Sequence, residues 1–441
     1  MHRRTLLKRT GAAAGVATLE PAVLAYSPAR VAAQEGITLE LWDTITSDPR
    51  QAVFEGLVEE FASENEQVAS VERRGWPTEE LQETLPRVVE SNQGPDVAQV
   101  NNGEALMGPM IRAGQLVDIR EYVREYGWAE DQPDSLLARN MYSEDGTEFG
   151  IGQLWGVSAE AEIVGLYYNR SIIDDAGVDI PTTLGGLEAA FQALADAGQT
   201  PLVFGNLDGW PAIHLFGNIH GTMTTRDYLD GIIYRWGGYS LEDQSIIDAA
   251  AKLQDWVARG FLLEGFEGVS SDDAAALFEA GSGAMLMQGS WQAGSINENL
   301  GGEAAGFFLT PPVEEGGTVL HVGGVGIPYS ITTNAEDPDL AAQLIDKLVS
   351  EEAFGALIEV GLLPAGEIPE DQITPDTLSG DLYSAWNLAR SKNAIGHYLD
   401  WAAPGFYDVM VSELQQLLAS EVTPEEFASN LQQYYAASFV D

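Results

Sequence analysis

Cysteine is absent from all 441 residues. That excludes a disulfide framework, a thiolate zinc site, an iron–sulfur cluster, a catalytic thiol and a lipid-modified cysteine anchor. Lysine is scarce: 4 Lys and 17 Arg stand against 68 acidic residues, a formal charge of −47. Phosphate backbones and anionic membranes attract proteins through Lys/Arg patches, so nucleic acid is a poor candidate partner. None of the four Lys follows a Gly, which removes the Gly-x-x-x-x-Gly-Lys-Ser/Thr phosphate loop, and neither Gly-x-Ser-x-Gly nor His-Glu-x-x-His occurs. No uncharged apolar run reaches the roughly 20 residues that a membrane-spanning helix needs.

What is present is ample core material. Apolar residues make up 45% of the chain, and its length suits two to three domains. Self-repulsion among this many carboxylates destabilises a compact state unless salt screens it, and the Debye length falls from ~10 Å at 0.1 M to ~3 Å at 1 M. A saline habitat is the expectation. The N-terminus reverses the trend, with Arg3, Arg4, Lys8 and Arg9 preceding a mildly apolar run over residues 11–25. The stretch from Arg3 to Lys8 resembles a twin-arginine export signal, and Val31-Ala32-Ala33 offers small residues where a signal peptidase cuts, so cleavage after Ala33 is expected. The mature chain would be exported, periplasmic or extracytoplasmic, and soluble.

Beyond the signal, residues 37–42 alternate as a half-buried strand does, and a helix follows with Val53, Phe54, Leu57, Val58 and Phe61 at helical spacing. Strands over 68–72 and 95–100 and a helix over 79–90 continue the alternation. Further on come a strand over 163–168, helices over 184–197 and 244–259, and strands near 202–204 and 284–287. The pattern predicts α/β structure with largely parallel sheets. Ligands of such sheets sit beyond the carboxyl ends of the strands, which places Trp42, Asp43, Asn101 and Asn102 on one rim.

Several stretches then resemble the extracellular solute-binding proteins of the carbohydrate type, the maltodextrin-binding-protein-like components of ABC importers. They are Phe61-Ala62-Ser63-Glu64-Asn65, Gly94-Pro95-Asp96-Val97 with Ala113-Gly114-Gln115-Leu116, and Leu166-Tyr167-Tyr168-Asn169-Arg170 with Ala176-Gly177-Val178. Leu277-Phe278-Glu279-Ala280-Gly281 leads to Gly289-Ser290-Trp291, and Leu362-Leu363-Pro364 and Val422-Thr423-Pro424-Glu425-Glu426 complete the order. One departure is Asn65-Glu66, where the family often has Asn-Pro. The resemblance implies a two-lobed binding-protein fold of mostly parallel sheets, with residues 1–33 as signal, 34–161 and 309–368 as the N-terminal lobe, and 162–308 and 369–441 as the C-terminal lobe. Hinge crossings would lie near Glu162, near 309–311 and near 366–375, and the lobes would close on the ligand.

Sugars present apolar ring faces edged by hydroxyls, so their sites combine aromatic platforms with planar polar groups. Trp291 corresponds to the family's stacking Trp, with a core or interlobe wedge as the other reading. Trp210 sits in a Gly/Asn/Pro loop, Asn206 to Pro211, that is exposed by composition, and His214 lies one turn on. Glu162 aligns with a family carboxylate that accepts sugar hydroxyls, and Tyr407 with a further aromatic contact. Asp43, Asn101, Asn102 and Glu104 fall on strand-end loops, where a helix-cap role is open to each. Gly323-Gly324 would let backbone amides approach a ligand, or mark a β-bulge.

The expected function is non-covalent capture of a sugar or polyol for an ABC importer, by a monomer with the permease subunits as partners and without cofactor or metal. A secreted hydrolase with an Asp/Glu pair is the alternative, since close carboxylates arise by chance in so acidic a chain. A purely structural surface protein is a third. Removing the five bases of the first 33 residues leaves 16, which argues mildly against polyanionic ligands.

Overall fold

The computed structural model describes residues 36–47, 49–130 and 132–438. Arg3, Arg4 and Ala33 of the expected export signal lie outside the described residues.

The chain begins with strand β1, Ile37–Asp43, helix Arg50–Glu64, β2, Val68–Gly75, helix Thr78–Glu90 and β3, Val97–Gln99. The helical spacing read from the sequence does what amphipathicity requires: Phe54, Leu57, Val58 and Phe61 are buried against β1 and helix Pro338–Leu348. A two-stranded ladder of β4, Met141–Tyr142, and β5, Gln153–Leu154, precedes the long strand β6, Ala161–Asn169. Then come β7, Leu202–Val203, β8, Met285–Gly289, β9, Ala305–Phe308, β10, His321–Val325, β11, Tyr329–Ile331, and β12, Ile395–Gly396.

Two principal sheets result. The first has the order β11-β3-β1-β2, with β1 parallel to both neighbours and β11 antiparallel to β3. The second has the order β12-β10-β6-β8-β7, with β9 also on β6. It is mixed, not mostly parallel as the sequence suggests, because β6 runs antiparallel to β8, β9 and β10. The reason is directional: β6 leads away from the junction between the sheets, whereas β10 returns to it and continues into β11.

Three chain passages meet at that junction. Val157 still pairs with Tyr329 of the first sheet, and Ala161 already belongs to the second. The second passage, residues 326–328, and the third, around Pro364, lie on either side of the first. Gly326 N donates to Glu160 O at 2.8 Å, Ala161 N to Leu363 O at 2.9 Å and Ala365 N to Ala159 O at 3.1 Å. The expected boundary at 309 is therefore displaced: His321–Val325 pairs with β6 in the second sheet, and the chain crosses only after it. The end of β9 at Phe308 looks like an exit in one dimension, but the chain returns through β10 first.

No helix among the described residues is long and apolar enough to cross a membrane.

Candidate functional site

A cavity of about 360 Å³ opens between the two sheets, walled by residues from both and floored by Glu160 and Gly326 of the passages. Its aromatic side is built by three short sequence devices. Gly209, at φ 80°, turns the chain into helix Trp210–Gly221, Pro211 occupies its first turn, and the Asn206 carboxamide accepts Ala212 N at 2.9 Å. Trp210 and His214 are four residues apart on this helix, so their rings meet on one face, tilted at 52° with centroids 4.8 Å apart.

Trp291 follows β8 in a single 3₁₀ turn. A Cβ on Gly289 would come within 2.0 Å of the Trp291 ring, so glycine is what lets the indole fold back beside Trp210, at 5.9 Å and 66°. The turn Leu399–Ala402 after β12 supplies the third device: Tyr398 lies 4.8 Å from His214 and 5.1 Å from Trp401. Both Trp210 and Trp291 are partly open to the cavity.

One polar atom of this wall is buried without a protein partner among the described residues, Nδ1 of His214, while the Tyr398 hydroxyl lies beside the Glu162 carboxyl. An orphaned polar atom costs roughly 1–3 kcal/mol unless something else satisfies it. Burial lowers His214 to about 3, so its imidazole is neutral. Burial raises Glu162 to about 7, more than the nearby Tyr398 hydroxyl and Arg50 charge lower it. Burial likewise raises Asp400, in the same 3₁₀ turn, to about 7.

The opposite wall comes from the first sheet's loops and helices, including Thr44, Gln82 and Asn101. Arg50, in the first turn of its helix, reaches the Glu160 carboxylate at 2.8, 2.9 and 2.6 Å. Tyr407 donates to Glu79 Oε1 at 3.1 Å from the other side.

Of the residues selected from sequence, Trp210, Trp291, His214, Glu162, Asn101 and Tyr407 line the cavity together. Asp43, Asn102, Glu104, Gly323 and Gly324 do not. The Asp43 side chain is fully buried and held by Arg73 at 2.6 and 2.8 Å, because the β1–β2 register sets Arg73 beside the strand's end. Asn102 turns inward to the Asn140 carboxamide. Glu104 is buried between Arg112, at 2.6 Å, and Arg235, at 3.3 Å.

Gly323 and Gly324 serve a close approach of a different kind. A Cβ on Gly323 would lie 2.4 Å from Glu162 O, and one on Gly324 would lie 1.9 Å from the buried Arg139 guanidinium. That guanidinium donates to the carbonyls of Gly323, Ile395 and Gly396, knitting β10 to β12.

The sequence reading missed Arg50, Glu160, Tyr398, Asp400 and Trp401 as wall residues. The motif signal available was the aromatic and acidic character of Tyr398-Leu399-Asp400-Trp401, although nothing local ties that run to Trp210. A second cavity, about 460 Å³, is lined by Tyr234, Trp236, Arg226 and His397, and none of the residues selected from sequence borders it.

The chain matches the model of the bacterial extracellular solute-binding protein family over residues 46–353. It is 22% identical over 348 residues to an uncharacterised ABC transporter extracellular-binding protein of Pyrococcus horikoshii, covering 76% of this chain and 74% of the relative. Among solved structures it superposes on a chitin oligosaccharide binding protein with TM-score 0.78 at 21% identity, covering 92% of this chain and 99% of the other. A structure from work on xylan utilisation by the thermophilic bacterium Caldanaerobius polysaccharolyticus gives TM-score 0.76 at 24% identity, covering 90% and 100%. Similarity at that identity speaks for the two-lobed fold, and the family match covers well over half the sequence: the chain belongs to the bacterial extracellular solute-binding proteins.

Proposed function

We propose that the protein captures a sugar or related polyol in the cavity between its lobes and hands it to an ABC importer. The observation that carries this reading is the wall of Trp210, His214, Trp291, Tyr398 and Trp401 with one orphaned polar atom, His214 Nδ1, and the Tyr398 hydroxyl beside Glu162. Indole faces suit the apolar faces of a pyranose, and His214 Nδ1 together with Thr44, Gln82 and Asn101 suits its hydroxyls. The chitin oligosaccharide binding protein and the xylan-utilisation protein support the same ligand class by analogy.

Binding is non-covalent in this reading, with no catalytic role for the chain, and ATP is hydrolysed by the importer. Residues 36–160 with 329–362, and 161–325 with 395–438, act as the two lobes, hinged at the three passages. The twin-arginine-like start supports export of a folded monomer to the extracytoplasmic side, and the charge of −47 supports a high-salt habitat.

Calorimetric titration and thermal-shift measurements against a panel of mono- and oligosaccharides, with chromatography of the recovered sugar, test the function. Saturable binding with unaltered sugar supports it. Cleaved product would establish the hydrolase instead, and absence of any binding or shift across the panel would sink the sugar reading.

A further inference from the structure

The charges around the cavity are one-sided. Glu79, Glu160, Glu162, Asp208, Asp272 and Asp400 line it, and among the lining residues the only permanent cation is Arg50. Arg50 is already spent: its guanidinium is gripped by Glu160 through three hydrogen bonds. His214 adds no charge, because it is held neutral. A ligand entering the cavity therefore meets an excess of carboxyl groups, of which Glu160 has Arg50 as counter-charge and Glu162 has the Tyr398 hydroxyl beside it.

Asp400 is the sharpest case. It is 6% exposed, borders the cavity, and among the described residues takes part in no ion pair and no hydrogen bond with another residue's side chain. Glu162, on the same floor, has no ion pair either among the described residues. Nearer the mouth, burial raises Glu79 and Asp272, and repulsion from Asp208 raises each further. Burial leaves the floor carboxyls about half protonated near pH 7, and an ammonium arriving from outside would favour their charged forms, while Glu79, Asp208 and Asp272 have no ion pair among the described residues.

The aromatic side points the same way. Trp210, Trp291, Tyr398 and Trp401 line the same cavity as these carboxylates, and indole faces attract cations as well as sugar faces. No cluster of three or more His, Asp or Glu with metal-holding geometry occurs among the described residues, so the cation the cavity calls for is organic.

We propose that the cavity selects a saccharide bearing a protonated amine, an amino sugar or a basic oligosaccharide, over neutral and anionic counterparts of the same ring. This rests on the sugar-capture reading above and specifies its ligand class. The ammonium is received by Asp400 and Glu162 at the floor or by Glu79, Asp208 and Asp272 at the mouth, with an indole face beside it. Uronic and phosphorylated sugars are refused, since no unpaired guanidinium lines the cavity to receive them.

The test is calorimetric titration with matched sets in gluco, galacto and manno configuration: the amino sugar, its N-acetyl form, the neutral sugar and the uronic acid, as monomers and as β-1,4 dimers. In at least one set the amine is expected to bind about tenfold or more tighter than its neutral partner, the scale of one charge-assisted contact, with the uronic acid weakest. That advantage should shrink at 1 M salt. Asp400→Asn and, at the mouth, Glu79→Gln should each lower the ratio of amine to neutral affinity; the mouth variant keeps the test open should Asp400→Asn fail to fold. Neutral or N-acetylated sugars binding as tightly as their amines would overturn the inference and leave sugar capture standing. No binding by any member would remove sugar capture and this inference together.

Discussion

Trp291 and Trp210 meet edge to face at 5.9 Å and are each only partly buried where they line the cavity, so part of each ring surface remains available. Trp291→Ala should weaken sugar binding roughly tenfold, the scale of a lost aromatic contact, while moving the thermal midpoint little; calorimetry paired with a melt separates the two effects. Glu162 and Asp400 make a second prediction. Both are raised to about 7, so the folded state holds protons that the unfolded chain releases near pH 4. Their contribution to stability is full below about pH 4 and is lost as pH rises through 7. The buried histidines 214, 220, 321 and 397, lowered to between about 3 and 4, act oppositely: their contribution is present above about pH 6.5 and is lost on acidification. Comparing wild type with the double variant Glu162→Gln, Asp400→Asn isolates the carboxylates. Denaturation midpoints of the variant should gain on wild type as pH rises from 5 to 8, and parallel curves would contradict the assignment.

Elements carry the coupling between the lobes. Helix Arg50–Glu64 belongs to the first sheet, yet its first residue reaches the passage residue Glu160, and both side chains are largely buried. Glu160→Gln leaves a guanidinium short of its counter-charge and should cost about 3 kcal/mol in chemical denaturation. Because the pair sits where the passages run side by side, small-angle scattering should also report a shifted opening equilibrium in this variant. Tyr407 and Glu79 bind across the mouth at 3.1 Å. Tyr407→Phe removes about 1 kcal/mol of closed-state contact, and the scattering profile of the unliganded variant should move toward the more extended form. An unchanged profile would mean that the contact does not hold the lobes.

For the whole molecule the governing quantity is the charge of −47. Repulsion on this scale weakens the compact state at low ionic strength and is screened once the Debye length falls to about 3 Å near 1 M salt. The thermal midpoint should therefore rise from 0.1 M to 2 M sodium chloride, and sucrose at equal osmolality should give a smaller rise. Equal rises in both would assign the effect to excluded solute instead of screening.

Local chemistry was enough for many of the elements: alternation drew β1, a continuous apolar run drew β6, and the 3.6-residue period drew the helix at 50–64, whereas Trp210, read as part of a loop, opens the helix Trp210–Gly221. The ordered motifs reached the family and half of the cavity's selected residues. They could not tell which strand-end polar groups turn inward, because that depends on register and on partners distant in sequence. Asp43 is claimed by Arg73 and Glu104 by Arg112 and Arg235, whereas Asp400, with a similar local appearance, is left facing the cavity. Nor could pattern decide that residues 321–325 return to pair with β6 before the chain crosses, since hydrogen bonding between strands some 160 positions apart leaves no periodic trace. Periodicity records what a residue does to its own element; which charges remain unpaired is settled only when the three passages bring the two sheets face to face.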